Sequence, residues 1–217
     1  MNNLSITTAE LERLLKVFGF LLGLFWLAAF LIQWKCFGVA VFSAAWRAFS
    51  PAVSGAILLF GLFYKVAWRW EWLAKWMSRP IVHGIWKGEL RSDFGLKDKS
   101  TLVIPIYFVV RQTYLTLSVQ SFTESQDGES RLEALLKNSK TEATRLCYVF
   151  ELRKLYPGAN SLTSGAGDLK LLGLGRELKG TYWTNTPTHG ELILKLASRD
   201  FNGIESFDDA QNKFAGH

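Results

Sequence analysis

Val17 to Ile32 reads VFGFLLGLFWLAAFLI, and Phe49 to Tyr64 reads FSPAVSGAILLFGLFY. Neither run carries a charge, while Lys16 and Lys35 flank the first and Arg47 and Lys65 the second. Each falls a little short of the ~20 apolar residues that span a hydrocarbon core. Trp34 extends the first run, and Val66 and Ala67 extend the second. The apolar connection from Cys36 to Trp46 either lengthens the second helix or lies in the membrane interface. A cleaved signal peptide fits the first run poorly, because Glu10 and Glu12 precede it and a second apolar run follows. A buried hairpin of a soluble protein fits poorly too, since the rest of the chain is too small to surround both helices. The reading is a transmembrane helical hairpin with a Trp-rich juxtamembrane segment over residues 1–79, then one soluble domain over residues 80–217.

The chain has 217 residues and a formal net charge of +6. Lys65, Arg69, Lys75 and Arg79 cluster after the second run. They read as a topology signal and headgroup contacts, since no basic patch with interleaved aromatics appears in the soluble region. The positive-inside rule then places the C-terminal domain and the N-terminus in the cytoplasm. Trp68, Trp70, Trp72 and Trp76 suit the headgroup level, and the spacing of Trp68, Trp72 and Trp76 by four predicts one shared helical face. Ser78 to Pro80 ends that helix. Gly19 and Gly23 form a GxxxG pair, which permits close contact with the second helix or with another chain. Cys36 and Cys147 have neither a CxxC partner nor a nearby histidine, which excludes a disulfide framework or a zinc knuckle.

From His83 the pattern turns to a period of two. Strands are expected at His83–Ser92, Thr101–Val110, Thr113–Phe122, Leu146–Leu152, Asp168–Leu172, Leu178–Thr184 and Glu191–Ala197, with Arg111-Gln112 linking a hairpin. Ser130–Asn138 is the helical candidate, because Leu132, Leu135 and Leu136 share helical spacing. Ser164-Gly165-Ala166-Gly167 reads as a turn. Many short strands and one short helix predict an all-β, small closed barrel of about eight strands, with Trp86, Leu90, Tyr148, Phe150, Tyr182, Leu192 and Leu194 inward.

Catalytic patterns are lacking. His83, His189 and His217 are scattered, and no HExxH, GxSxG or Walker motif occurs. Neither enzymatic activity nor a metal or cofactor is expected. The small hydroxyls Ser118, Ser121, Thr123, Ser125 and Ser130 are either solvated or a polar wall for a ligand.

The order of motifs carries a resemblance. Pro80-Ile81 leads into Gly84-Ile85-Trp86-Lys87-Gly88-Glu89-Leu90. Gln112-Thr113 enters a strand ending in Ser121, Thr123 and Ser125. Leu146-x-Tyr148-x-Phe150 follows, then Leu178-x-Gly180-x-Tyr182-x-Thr184 and Gly190-x-Leu192. Behind two apolar helices, this set resembles the two-transmembrane, β-strand-rich effectors of bacterial CBASS anti-phage systems (the SMODS-associating effectors). The likeness covers almost the whole chain apart from the acidic tail near Asp208 and Asp209. It departs at Thr186, where the family tends to carry a basic residue, and at Ser164, where it tends to carry histidine.

The resemblance implies a small lipocalin-like barrel that binds a cyclic oligonucleotide second messenger, in first place a cyclic dinucleotide, and no DNA or RNA polymer. Binding is then expected to drive homo-oligomerisation and disruption of the bacterial inner membrane. The ligand-contact candidates guided by the motif positions are Ser121, Thr123, Ser125, Ser130, Tyr148, Tyr182 and Thr184, and Gly19 and Gly23 are candidates for contact between chains in the bilayer. The GxW opening also occurs in lipocalin-type barrels, so a membrane-tethered carrier or sensor of a small apolar ligand is the competing expectation.

Overall fold

A computed structural model describes residues 5–77, 79–93, 102–138, 140–154, 163–186 and 188–214; Ser78, Thr101 and His217, named above, lie outside them. The chain forms two compact units. One is Thr7–Arg79, and the other is built from residues 80–214 with Ser5 and Ile6.

In the helical unit, α1 (Thr8–Cys36) opens with a capping box: Glu10 N donates to Thr7 Oγ1 at 3.3 Å, and Thr7 N donates to Glu10 Oε2 at 2.8 Å. α2 (Val41–Arg47) runs through Ala48 into α3 (Phe49–Lys65). The stretch Val41–Lys65, like α1, is long and apolar enough to cross a bilayer, so part of the Cys36–Trp46 connection lengthens the second helix. Ala44, Ala48, Ala52 and Ala56 recur every fourth residue and are each fully buried, which lets α3 approach α1 closely. Phe18 and Phe60 meet edge to face at 5.8 Å across this contact.

The tryptophan segment differs from expectation. The helix stops at Lys65, a 3-10 turn covers Ala67–Arg69, Trp70 is extended, and α4 restarts at Glu71–Trp76. Trp68 is therefore buried, whereas Trp72 and Trp76 are exposed, and the three do not share a face. Arg79 closes the unit by pairing with Glu10 at 3.1 Å.

The second unit is a closed antiparallel barrel in which each strand pairs with the next and β8 returns to β1. The strands are β1 (Gly84–Ser92), β2 (Leu102–Gln112), β3 (Leu117–Phe122), β4 (Gln126–Lys137), β5 (Thr144–Lys154), β6 (Thr163–Leu172), β7 (Glu177–Thr184) and β8 (His189–Ser198). Closure removes sheet edges and gives an interior just wide enough for side chains or one small ligand. The expected inward residues Trp86, Tyr148, Phe150, Tyr182, Leu192 and Leu194 belong to one core, with Leu90 packed against it. The GxWxG opening has a physical cause. Gly84 sits at φ +132°, where a Cβ would come within 2.5 Å of Ser198 O, so only glycine fits. Two residues on, the Trp86 ring plugs the barrel and its Nε1 donates to Val82 O at 2.9 Å.

Three local expectations need correction. Ser130–Asn138 is not a helix: residues 130–137 are strand β4. Its register on β5 shifts between Ser130 and Leu132, a bulge that leaves Leu135 buried in the core while Leu132 and Leu136 face out. Outward leucines on a bulged strand imitate helical spacing. The first hairpin turns at residues 113–116 rather than at Arg111-Gln112, because the Thr113 hydroxyl accepts from Thr116 N at 2.9 Å and closes the turn. That leaves Gln112 free to hold the entry segment: its Oε1 accepts from Val82 N at 2.7 Å and its Nε2 donates to Pro80 O at 2.9 Å. Ser164–Gly167 is not a turn but part of β6, for the reason given below.

The acidic tail forms α5 (Phe207–Phe214), whose first turn is capped by the Ser206 hydroxyl at 3.2 Å from Asp209 N. It covers an apolar patch outside the barrel made by Ile85, Tyr107, Val109 and Phe122, with Phe207 edge-on to Tyr107 at 5.5 Å.

Candidate functional site

One end of the barrel is solid and the other is hollow. Trp86, Val110, Leu117, Val119, Leu135, Leu146, Leu169, Leu178 and Leu194 fill the end near the β2–β3, β4–β5 and β6–β7 turns. Toward the β3–β4 and β7–β8 turns lies a cavity of about 420 Å³. Its lower part is aromatic and apolar, with Phe108 and Tyr148 at the base and Phe150, Tyr182, Ile106 and Leu192 above them. Hydroxyls dominate its mouth: Ser92, Ser121, Thr123, Ser125, Thr163, Thr184, Thr186 and Thr188. Among the described residues, no charged side chain lines it.

Of the sequence-derived candidates, Ser121, Thr123, Ser125, Tyr148, Tyr182 and Thr184 all border this cavity. Ser121 comes from β3, Thr123 and Ser125 from the turn after it, Tyr148 from β5, and Tyr182 and Thr184 from β7, so closure of the barrel brings them together. Ser130 does not join them. Its Oγ accepts from Val119 N at 2.8 Å and donates to the Glu133 carboxylate, bridging β3 and β4 just beyond Gln120 and Glu129, where their ladder ends. Ser118 points away from the cavity and stays half-buried on the outer face.

The hydroxyls are not equivalent. Thr123 is engaged in its own turn, donating to Gln126 O at 2.9 Å. Thr184 donates to Thr186 O at 2.6 Å and is also linked to the Thr186 and Thr188 hydroxyls, so these three threonines act as one cluster on the rim. Among the described residues, the Ser121 and Ser125 hydroxyls have no protein partner and remain available to a ligand. Burial pushes the Tyr148 phenol up, with the neighbouring Tyr182 adding to the effect, so Tyr148 is a neutral donor throughout the physiological range. Tyr182 is raised for the same reason, opposed by a hydrogen bond from Ser92.

Sequence reading missed what hollows the cavity. Tyr148 faces Gly167 across β5 and β6, Phe150 faces Gly165 on the same pair of strands, and Tyr182 faces Gly190 across β7 and β8. A Cβ on Gly167 would lie 2.5 Å from the Tyr148 ring, one on Gly165 would meet Trp183 O at 2.3 Å and Phe150 at 2.6 Å, and one on Gly190 would meet Arg91 O at 1.9 Å and Tyr182 at 2.9 Å. The rings therefore lie against bare backbone on the wall instead of crossing the lumen. This is why Ser164–Gly167 is a strand. The signal was an aromatic-x-aromatic strand followed by a Gly-x-Gly strand, a cross-strand pairing that only register reveals. Thr186, Thr188 and Thr163 were missed as well, because they reach the mouth through turn and strand-end geometry.

In the helical unit Gly19 and Gly23 are exposed, with nothing within 4 Å of where a Cβ would stand. The α1–α3 contact is made by the alanine series instead, and by Gly55, whose Cβ position is 3.2 Å from Phe25.

Fold and cavity together define an apolar helical hairpin joined to an up-and-down barrel of the size that encloses one small ligand. Compared with family models and with curated proteins, the chain matches none.

Proposed function

We propose that this chain is a membrane-anchored, non-enzymatic receptor whose barrel binds a cyclic oligonucleotide, in first place a cyclic dinucleotide, as an effector of CBASS type. In this reading binding drives homo-oligomerisation and disruption of the bacterial inner membrane, with the barrel on the cytoplasmic side. The observation that carries it is the cavity, in which aromatic faces and partner-free hydroxyls converge from strands far apart in the chain. Aromatic faces stack on bases and hydroxyls donate to phosphate oxygens. The exposed Gly19/Gly23 pair supports assembly within the bilayer, since it is not used inside the chain. A ligand drives assembly only if it binds the assembled state more tightly than the monomer.

The uncharged lining favours a second reading, a tethered receptor for a small neutral amphiphile. Calorimetry of the full chain in detergent against cyclic di- and trinucleotides separates the two. Saturable binding of at least one supports the effector reading, and no binding across the complete panel leaves the neutral ligand. Topology is checked by an impermeant thiol reagent on a single-cysteine variant in the barrel; labelling of intact cells refutes the cytoplasmic assignment.

A further inference from the structure

The cavity has a direction. Its base is built from aromatic rings, the Tyr148 phenol among them, whereas most of its aliphatic hydroxyls stand toward the mouth. Three aromatic–glycine pairs hold rings along the wall: Tyr148 on Gly167, Phe150 on Gly165 and Tyr182 on Gly190. Each ring lies close against its glycine and borders the lumen. Tyr148 is fixed further by Phe108, edge-on at 5.8 Å, and by Phe150 at 5.7 Å. Rings held in this way are ordered before a ligand arrives, so little side-chain freedom remains to be lost on stacking. A charged group at the base would be desolvated without a counter-charge, since no described lining residue carries one.

We propose that the ligand enters ring first: a planar heteroaromatic group lies between Tyr148, Phe150 and Tyr182, while its polar part stays at the mouth among Ser121, Ser125 and the Thr184 cluster. This deepens the receptor reading and rests on it. It assigns Tyr148 as the stacking platform and Gly165 and Gly167 as the positions that keep the platform flat. It also means that a ligand with two bases inserts only one of them, leaving the other at the rim.

The test is saturation-transfer NMR on the full chain in detergent micelles, with empty micelles as background. The probes are adenosine 5′-monophosphate, uridine 5′-monophosphate and ringless ribose 5-phosphate. The expected result is stronger saturation of the base protons than of the ribose protons in both nucleotides, and no signal from ribose 5-phosphate. Tyr148→Leu should weaken the nucleotide signals by about tenfold in affinity, the usual scale of one lost base stack. Gly167→Ala, which drives a methyl into the Tyr148 ring, should weaken them too. If a variant fails to fold, the wild-type proton pattern decides alone. Equal or stronger saturation of the ribose, binding of ribose 5-phosphate as tight as that of the nucleotides, or no binding of any probe overturns ring-first entry. Binding of a cyclic dinucleotide with its sugar protons saturated most would overturn the orientation while leaving the receptor reading intact.

Discussion

Trp86→Ala is the sharpest check on the barrel. The ring is fully buried and sits in the main core, and its Nε1 holds Val82 O at 2.9 Å. Truncating a buried large aromatic to alanine costs about 3–5 kcal/mol, because the lost transfer energy is joined by the cavity left behind. For a domain of this size each kcal/mol moves the melting temperature by about 3–5 °C, so the sheet should melt about 9–25 °C lower. Trp86→Phe divides the effect. It keeps most of the volume and leaves Val82 O without its donor, a loss of about 1–3 kcal/mol. The assay is thermal melting of the full chain in mild detergent, followed by the infrared amide band of the sheet, so that the micelle-held helices do not obscure the transition. A shift below about 3 °C for Trp86→Ala would show that the ring is not the plug described here.

Glu133 is half-buried and pairs with Tyr148 in the β4–β5 register, and burial raises its carboxyl above the ordinary 4.5, against a hydrogen bond from Ser130 and with Glu129 adding to the rise. The fold therefore favours the protonated form, and barrel stability should fall as pH rises from about 4.5 through the folded-state value. Glu133→Gln should flatten that slope in pH-dependent melts without abolishing it, because burial raises Asp127 as well; an unchanged slope refutes the assignment. In the helical unit, Ala52→Phe should split α1 from α3, while Gly19→Ile with Gly23→Ile should leave the hairpin intact and block permeabilisation, since only the alanine is buried. Cross-linking between cysteines placed on α1 and α3 reads the first effect, and dye entry into cells making the nucleotide reads the second. Because the described cavity lining is uncharged, ligand affinity should change by less than about threefold between ~50 and ~500 mM salt; a steep salt dependence in calorimetry points to a charged site elsewhere.

The two long apolar helices, the barrel and its inward set were legible because each rests on a pattern that one chain segment displays by itself. An uninterrupted apolar run needs no partner to be recognised, and alternation at Trp86, Tyr148, Phe150 and Tyr182 names the buried face of a strand before its neighbours are known. Most of the cavity-lining candidates were named from the motif positions of the resemblance, and inward parity by itself pointed only to Tyr148 and Tyr182 among them.

Only the tertiary structure decided the rest, because those features belong to pairs of strands. The bulge after Ser130 turns a leucine pattern of helical appearance into a strand, and only pairing with β5 shows the extra residue. Gly165 and Gly167 read as a turn until register sets them beneath the rings of Phe150 and Tyr148. Ser130 looked like one more free hydroxyl until the end of the β3–β4 ladder gave its oxygen a backbone amide to accept from. On the helices, GxxxG at Gly19 and Gly23 stands out in the sequence, yet the chain packs through Ala44, Ala48, Ala52 and Ala56. Spacing by four defines a face of a helix, and which face meets a neighbour is fixed only when two helices compete for the same contact.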